Sequence, residues 1–114
     1  MTTQTFTRSF LLGAALAALL PAASPVHAAD DATVKLYQAK CSACHGASGD
    51  GNTTVGQALK LRDIRIAEVQ KITDADLSTL IAKGKDKMPA NEKTLKAEQI
   101  KALVAYVREL AAKK

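Results

Sequence analysis

Two cysteines stand three positions apart and a histidine follows directly, in the run Cys41-Ser42-Ala43-Cys44-His45. On one helical turn, two thiols at this spacing can add across the two vinyl groups of a single porphyrin edge. The adjacent imidazole is then carried beneath the ring, where a nitrogen can bind iron. The run is the attachment pattern of a c-type haem, far more specific than a bare cysteine pair. Other uses of the same residues fit less well. A thioredoxin-like redox pair needs a βαβ setting, whereas the apolar spacing of this chain is helical. A structural zinc site takes four ligands, usually Cys and His, and beyond the leader described below only Cys41, Cys44 and His45 are of those types. A disulfide between thiols this close would shut almost no loop and add little stability.

An iron held by one imidazole has a second axial position. Met88 is the only methionine after the leader, and no second histidine competes with it. A thioether is a soft, neutral ligand, and His/Met ligation raises the reduction potential. Pro89 keeps the chain extended just past the sulfur. Three alternatives stay open on residues alone: Met88 as a flexible filler of the core, a lysine (Lys85 or Lys87) on the iron, or an open position.

The elements that must position these groups read as helices. The first runs from Asp31 to Cys44 with Asp30 as N-cap; Val34, Tyr37, Cys41 and Cys44 recur at helical spacing, which puts both thiols on its apolar face. Gly46, Gly49 and Gly51, with Asp50 and Asn52, then form a tight irregular loop. Aliphatic and charged residues mix from Val55 to Ile72, with a short helix near Ala67–Lys71. Thr73-Asp74-Ala75-Asp76 approximates a capping box and opens a helix through Leu77, Leu80 and Ile81 that stops at Gly84. The last helix spans Ala97 to Ala111, with Ile100, Leu103, Val104, Val107 and Leu110 on one face, although Lys96 is a poor cap. Four helices are expected, an all-α chain with no alternating strand pattern.

The first 28 of the 114 residues read differently. Arg8 supplies the positive N-terminal region, Phe10 to Leu20 is an unbroken apolar stretch of 11 residues, Pro21 and Pro25 break any helix, and Val26-His27-Ala28 meets the small-x-small rule of signal cleavage. The stretch is too short to span a hydrocarbon core of about 30 Å. Processing after Ala28 leaves 86 residues and lowers the formal net charge from +5 to +4, because only Arg8 is lost among charged residues. The excess is too diffuse for a nucleic-acid module, especially with two Tyr, two Phe and no Trp for base stacking. A domain of this size is marginal on its own core and gains stability from a staple or a cofactor. A covalently held haem would supply the missing core.

With the motif, the Gly84-Lys85-Asp86-Lys87-Met88-Pro89 loop and the terminal helix around Gln99-Ile100 and Ala105-Tyr106-Val107, residues 29–114 resemble a single-haem class I cytochrome c of the small bacterial type. The resemblance implies one covalent haem c, with Cys41 and Cys44 as thioether links and His45 and Met88 as axial ligands. It also implies a crossing of the first and last helices, at which Tyr37 and Tyr106 meet. Two positions depart from the family pattern. Thr33 stands where a glycine often lets the helices approach, and Thr53-Thr54 stands where a proline carbonyl often accepts the histidine N–H.

Iron held on both sides has no open position for substrate, which argues against enzymatic peroxidase or oxygenase chemistry and for outer-sphere transfer of one electron. Val34, Leu59, Leu80 and Leu103 are candidates to pack on the porphyrin. Lys83, Lys85 and Lys87 alternate before Met88, diluted by Asp86, as a candidate basic rim for acidic redox partners. The expectation is a monomeric periplasmic electron carrier that does not span the membrane after processing. The alternatives are a haem sensor or enzyme in which Met88 is displaced, and a haem-free copper or thiol-redox protein using Cys41, Cys44, His45 and Met88.

Overall fold

The computed structural model describes Leu19 and residues 28–114. The expected leader, residues 1–28, lies outside the described residues apart from Leu19 and Ala28. Among the described residues the chain forms six helices and no extended strand: α1 (Asp31–Lys40), α2 (Ser42–His45), α3 (Thr54–Ala58), α4 (Ala67–Gln70), α5 (Asp74–Lys83) and α6 (Ala97–Ala112). The all-α class holds, but there are two more helices than the four expected.

One of the two arises because the expected Asp31–Cys44 helix is broken at Cys41, which adopts φ −121° and ψ −38°. Asp30 caps α1 as expected, its carboxylate accepting from Thr33 N–H at 2.8 Å. At the break, Ser42 Oγ donates to Gln38 O at 2.7 Å. A continuous helix would give that carbonyl to the Ser42 amide, so the hydroxyl competes with the ladder. The break is slight, since Cys41 N–H still reaches Tyr37 O at 2.8 Å and His45 N–H reaches Cys41 O at 2.9 Å.

The second addition, α3, is one turn started by Thr53, whose hydroxyl accepts from Gly56 N–H at 2.8 Å. Short helices of this kind are not stable alone and depend on what they pack against. Helix α4 falls where the sequence places it. Thr73 caps α5 by accepting from Asp76 N–H, and Gly84 ends it at φ +72°. Helix α6 has no side-chain acceptor at Lys96; instead Gln99 Oε1 turns back to take the Lys96 N–H at 2.9 Å, half of a capping box.

Helices α1, α5 and α6 carry the core, with α6 packed against both of the others. Tyr37, Leu95, Ile100, Leu103, Tyr106 and Leu110 form one buried cluster, with Val34, Ile64 and Ile81 against it. Where α1 meets α6, the Tyr37 and Tyr106 rings pack edge to face with centroids 5.1 Å apart at 72°, a geometry worth about 0.5–1.5 kcal/mol beyond area burial. Thr33, at the position where the family often has glycine, is buried on α1. Arg108 ties α6 to the α4–α5 connection, donating to Gln70 O at 3.0 Å, Ile72 O at 2.5 Å and Asp74 Oδ1 at 2.7 Å. Its guanidinium thereby satisfies carbonyls that the end of α4 leaves unpaired.

Candidate functional site

The kink at Cys41 and the end of α2 at Gly46 deliver three side chains to the interior. Gly46 takes φ +81° and turns the chain out of the helix immediately after His45. Two adjoining apolar cavities, of about 110 and 80 Å³, open beside this segment. Cys41, His45, Ile81, Met88 and Leu103 line both, and Cys44 lines the larger. The fold thus brings Met88 to the same space as a motif that ends 43 positions earlier in the chain. Of the expected porphyrin-packing residues, Leu59, Leu80 and Leu103 line the cavities. Val34 does not; it packs on the tyrosine cluster instead.

Met88 is presented by a turn. Lys85 N–H donates to Met88 O at 3.1 Å and Met88 N–H to Lys85 O at 2.8 Å, with Asp86 at φ +53° inside the turn. Gly84 opens it, and a side chain there would find Met88 O 2.4 Å and Ala90 N 2.8 Å from its Cβ. Asn91 closes the other end: its Nδ2 donates to Ile81 O and Pro89 O, both at 3.1 Å, while its amide reaches Ala82 O at 2.9 Å. The methionine loop is therefore fastened to the last turn of α5 on both sides.

Burial sets the chemistry of these donors. It lowers the pKa of His45, favouring the neutral imidazole that a metal needs, and His45 Nδ1 is buried with no hydrogen-bond partner. Burial, with the neighbouring Cys44 adding to it, raises the Cys41 thiol to about 11. Two thiols, a neutral imidazole and a thioether around one apolar space fit a covalently attached haem. Among the described residues no group of three or more His, Cys, Asp or Glu is placed to hold a bare metal ion.

The three lysines of the expected rim are placed differently from one another. Lys83 pairs with Glu92 at 2.7 Å; Lys85 is exposed in the turn; Lys87 lines the larger cavity. Lys40, which the sequence reading passed over, lines that cavity too. Also missed were Thr53, Gly56 and Asn91. Thr53 carried a signal as a threonine cap after a glycine loop. Asn91 carried none, since its partners are carbonyls that become neighbours only when the chain folds.

Comparison with known proteins agrees with this geometry. Residues 28–107 match the family described as cytochrome C oxidase, cbb3-type, subunit III. The chain is 36% identical over 88 residues to cytochrome c6 of Nostoc sp. strain PCC 7120, covering 74% of each protein. Its fold is similar to the KustC0563 c-type cytochrome, with TM-score 0.63 and 35% identity over 68% of this chain and 95% of that one. Taken with the helical architecture and the cavity at the Cys41–His45 motif, these likenesses establish the chain as a member of the class I cytochrome c family, of the small single-haem type, with one covalent haem c and a role in electron transfer.

Proposed function

We propose that this cytochrome is a soluble periplasmic one-electron carrier in which Cys41 and Cys44 hold the haem through thioether bonds and His45 and Met88 are its axial ligands. One observation carries the reading: Met88, remote in sequence, lines the same two cavities as Cys41 and His45. Bound in that space, the haem supplies a reversible one-electron couple. The chain's own residues do the rest. Ile81 and Leu103 line both cavities, and Leu59 and Leu80 one each; together they exclude water and lower the local dielectric, which tunes the potential. The fastened Met88 turn keeps the thioether in one place, so little must rearrange as charge on the iron changes.

Partner contact is proposed at the larger cavity, where Lys40 and Lys87 line the wall and Lys85 stands nearby in the turn. Lysines there steer acidic partners chiefly through the association rate, an effect that salt screens. Lys83 contributes less, because Glu92 balances it. No helix among the described residues is long and apolar enough to cross a membrane; the leader read in residues 1–28 is what supports release into the periplasm, and the chain is proposed to act there as a monomer.

Carbon monoxide tests the ligand assignment. The reduced holoprotein is expected to bind it slowly or not at all, and Met88→Ala is expected to bind it rapidly. Rapid binding by the unaltered protein would instead favour a sensor or enzyme with Met88 off the iron.

A further inference from the structure

Three consecutive carbonyls at the end of the haem motif are each held by a different part of the fold. Cys44 O accepts from Thr53 Oγ1 at 2.9 Å. His45 O accepts from Gly51 N–H at 2.7 Å. Gly46 O accepts from the Tyr37 hydroxyl at 2.8 Å in a buried hydrogen bond, and more weakly from Gly49 N–H at 3.1 Å. The peptide plane before His45 is thus fixed from the cap of α3, the plane after it from the glycine loop, and the next plane, at Gly46, from α1.

The side chain of His45 has no such support. Its Nδ1 is buried and makes no hydrogen bond, and the position where the family often places a proline carbonyl holds Thr53-Thr54. A ligating imidazole usually has its orientation set through the other ring nitrogen. Here the available restraint acts through the backbone. We infer that Tyr37 and Thr53 are positioning residues for the haem-facing imidazole, clamping the carbonyls of its two neighbours, Gly46 and Cys44, so that the ring direction is set by its main chain. This rests on His45 being the axial ligand.

The two clamps are specific in their chemistry. Tyr37 is 2% exposed and its ring is already held by Tyr106, so the hydroxyl is fixed by packing at its far end. Burial raises its pKa, keeping it a donor at any ordinary pH. Thr53 Oγ1 donates to Cys44 O while accepting from Gly56 N–H at 2.8 Å, using donor and acceptor capacity together. Gly56 permits the approach, since a Cβ there would sit 2.2 Å from Gly51 O and 2.7 Å from Cys44 O.

The test compares Tyr37→Phe, Thr53→Val, Thr53→Ser and Tyr106→Phe as purified holoproteins. Ferric electron paramagnetic resonance reads the orientation of the axial ligands, and redox titration reads the midpoint potential. Tyr37→Phe and Thr53→Val are expected to shift or broaden the low-spin g values and move the potential. Thr53→Ser, which keeps the hydroxyl, and Tyr106→Phe, which keeps the ring contact, are expected to match the unaltered protein. Unchanged g values and potential in both Tyr37→Phe and Thr53→Val would overturn the inference, whatever happens to their stability. If neither variant accumulates with haem, the Tyr37 hydroxyl proton of the unaltered holoprotein decides: slow exchange by nuclear magnetic resonance supports the clamp, and solvent-fast exchange refutes it. Failure of His45 ligation itself would look different, as an unaltered holoprotein without an imidazole-ligated low-spin signal.

Discussion

Replacing Gly84 with alanine should dislodge the sixth ligand while leaving the haem attached. Gly84 has φ +72° and ψ 173°, a region open almost only to glycine, so any side chain there costs of order 1–3 kcal/mol. The new Cβ would also stand 2.4 Å from Met88 O, 2.8 Å from Ala90 N and 2.8 Å from Pro89 C. All three are backbone atoms and none can rotate away. Restoring ordinary contact requires Met88 O to retreat by about 1 Å, from 2.4 Å to about 3.4 Å. That movement breaks its hydrogen bond from Lys85 N–H, adding about 1 kcal/mol. The combined cost of about 2–4 kcal/mol falls on the loop that carries Met88. Expressed as an equilibrium, it favours the detached thioether by roughly 30- to 1,000-fold over the unaltered protein. The assay is the ferric Met–Fe(III) charge-transfer band, read beside haem content and helical circular dichroism. The band should weaken or vanish and carbon monoxide should bind quickly, with haem still covalently held. A Gly84→Ala protein with a full band, unaltered resistance to carbon monoxide and an unaltered melting temperature would refute the reasoning.

Other perturbations probe separate parts of the fold. Gly56→Ala drives a Cβ to 2.2 Å from Gly51 O and 2.7 Å from Cys44 O, so it is expected to lower stability by about 3 kcal/mol; a denaturant midpoint within error of the unaltered protein would contradict this. The Arg65 guanidinium beside Asp63, bonded at 2.9 Å, depresses that carboxyl from 3.8 to about 2. A depressed carboxyl contributes stability above its unfolded pKa and loses it as pH falls through the folded one. About 1–2 kcal/mol, discounted for partial exposure, should therefore disappear between pH 4 and pH 2, and Asp63→Asn should flatten that part of the stability profile. Ala29 N–H lies 2.7 Å from Glu109 Oε2, so processing after Ala28 would turn this amide into an ammonium facing a carboxylate. Glu109→Gln should then lower the melting temperature of the processed chain more than that of a chain carrying a few extra residues before Ala29; equal losses would argue against cleavage there.

The haem motif and the helix ends were legible because their signals are local. The Cys41–His45 run, the Thr73 cap, the Gly84 stop and the apolar face of the last helix each depend on neighbours within a few positions, and each reappears in the fold. Tyr37 and Tyr106 could be paired in advance because the family resemblance implies a contact at the crossing of the first and last helices, and they are the only aromatics after the leader. The continuity of the first helix was misread because Ser42 offers its hydroxyl to Gln38 O, a choice that spacing does not encode. Helix α3 escaped notice because Gly56 lowers helix propensity, while the reason for that glycine is the nearness of Gly51 O and Cys44 O. Asn91 and Lys40 gained their places through contacts and cavity walls formed only on folding. Val34 has the right periodicity but packs against the buried core cluster rather than the cavities, since one apolar stripe can serve either of two neighbours.

The central claim is one iron held between the His45 imidazole and the Met88 thioether, in a haem bonded to Cys41 and Cys44. Its most direct test is the ferric and ferrous optical spectrum of the exported protein, taken with the mass of its denatured peptides. The expected result is a low-spin c-type spectrum with the Met–Fe(III) band, together with one haem on the peptide that contains both cysteines. A colourless product with unmodified thiols at Cys41 and Cys44, or a coloured one lacking the methionine band, would contradict it.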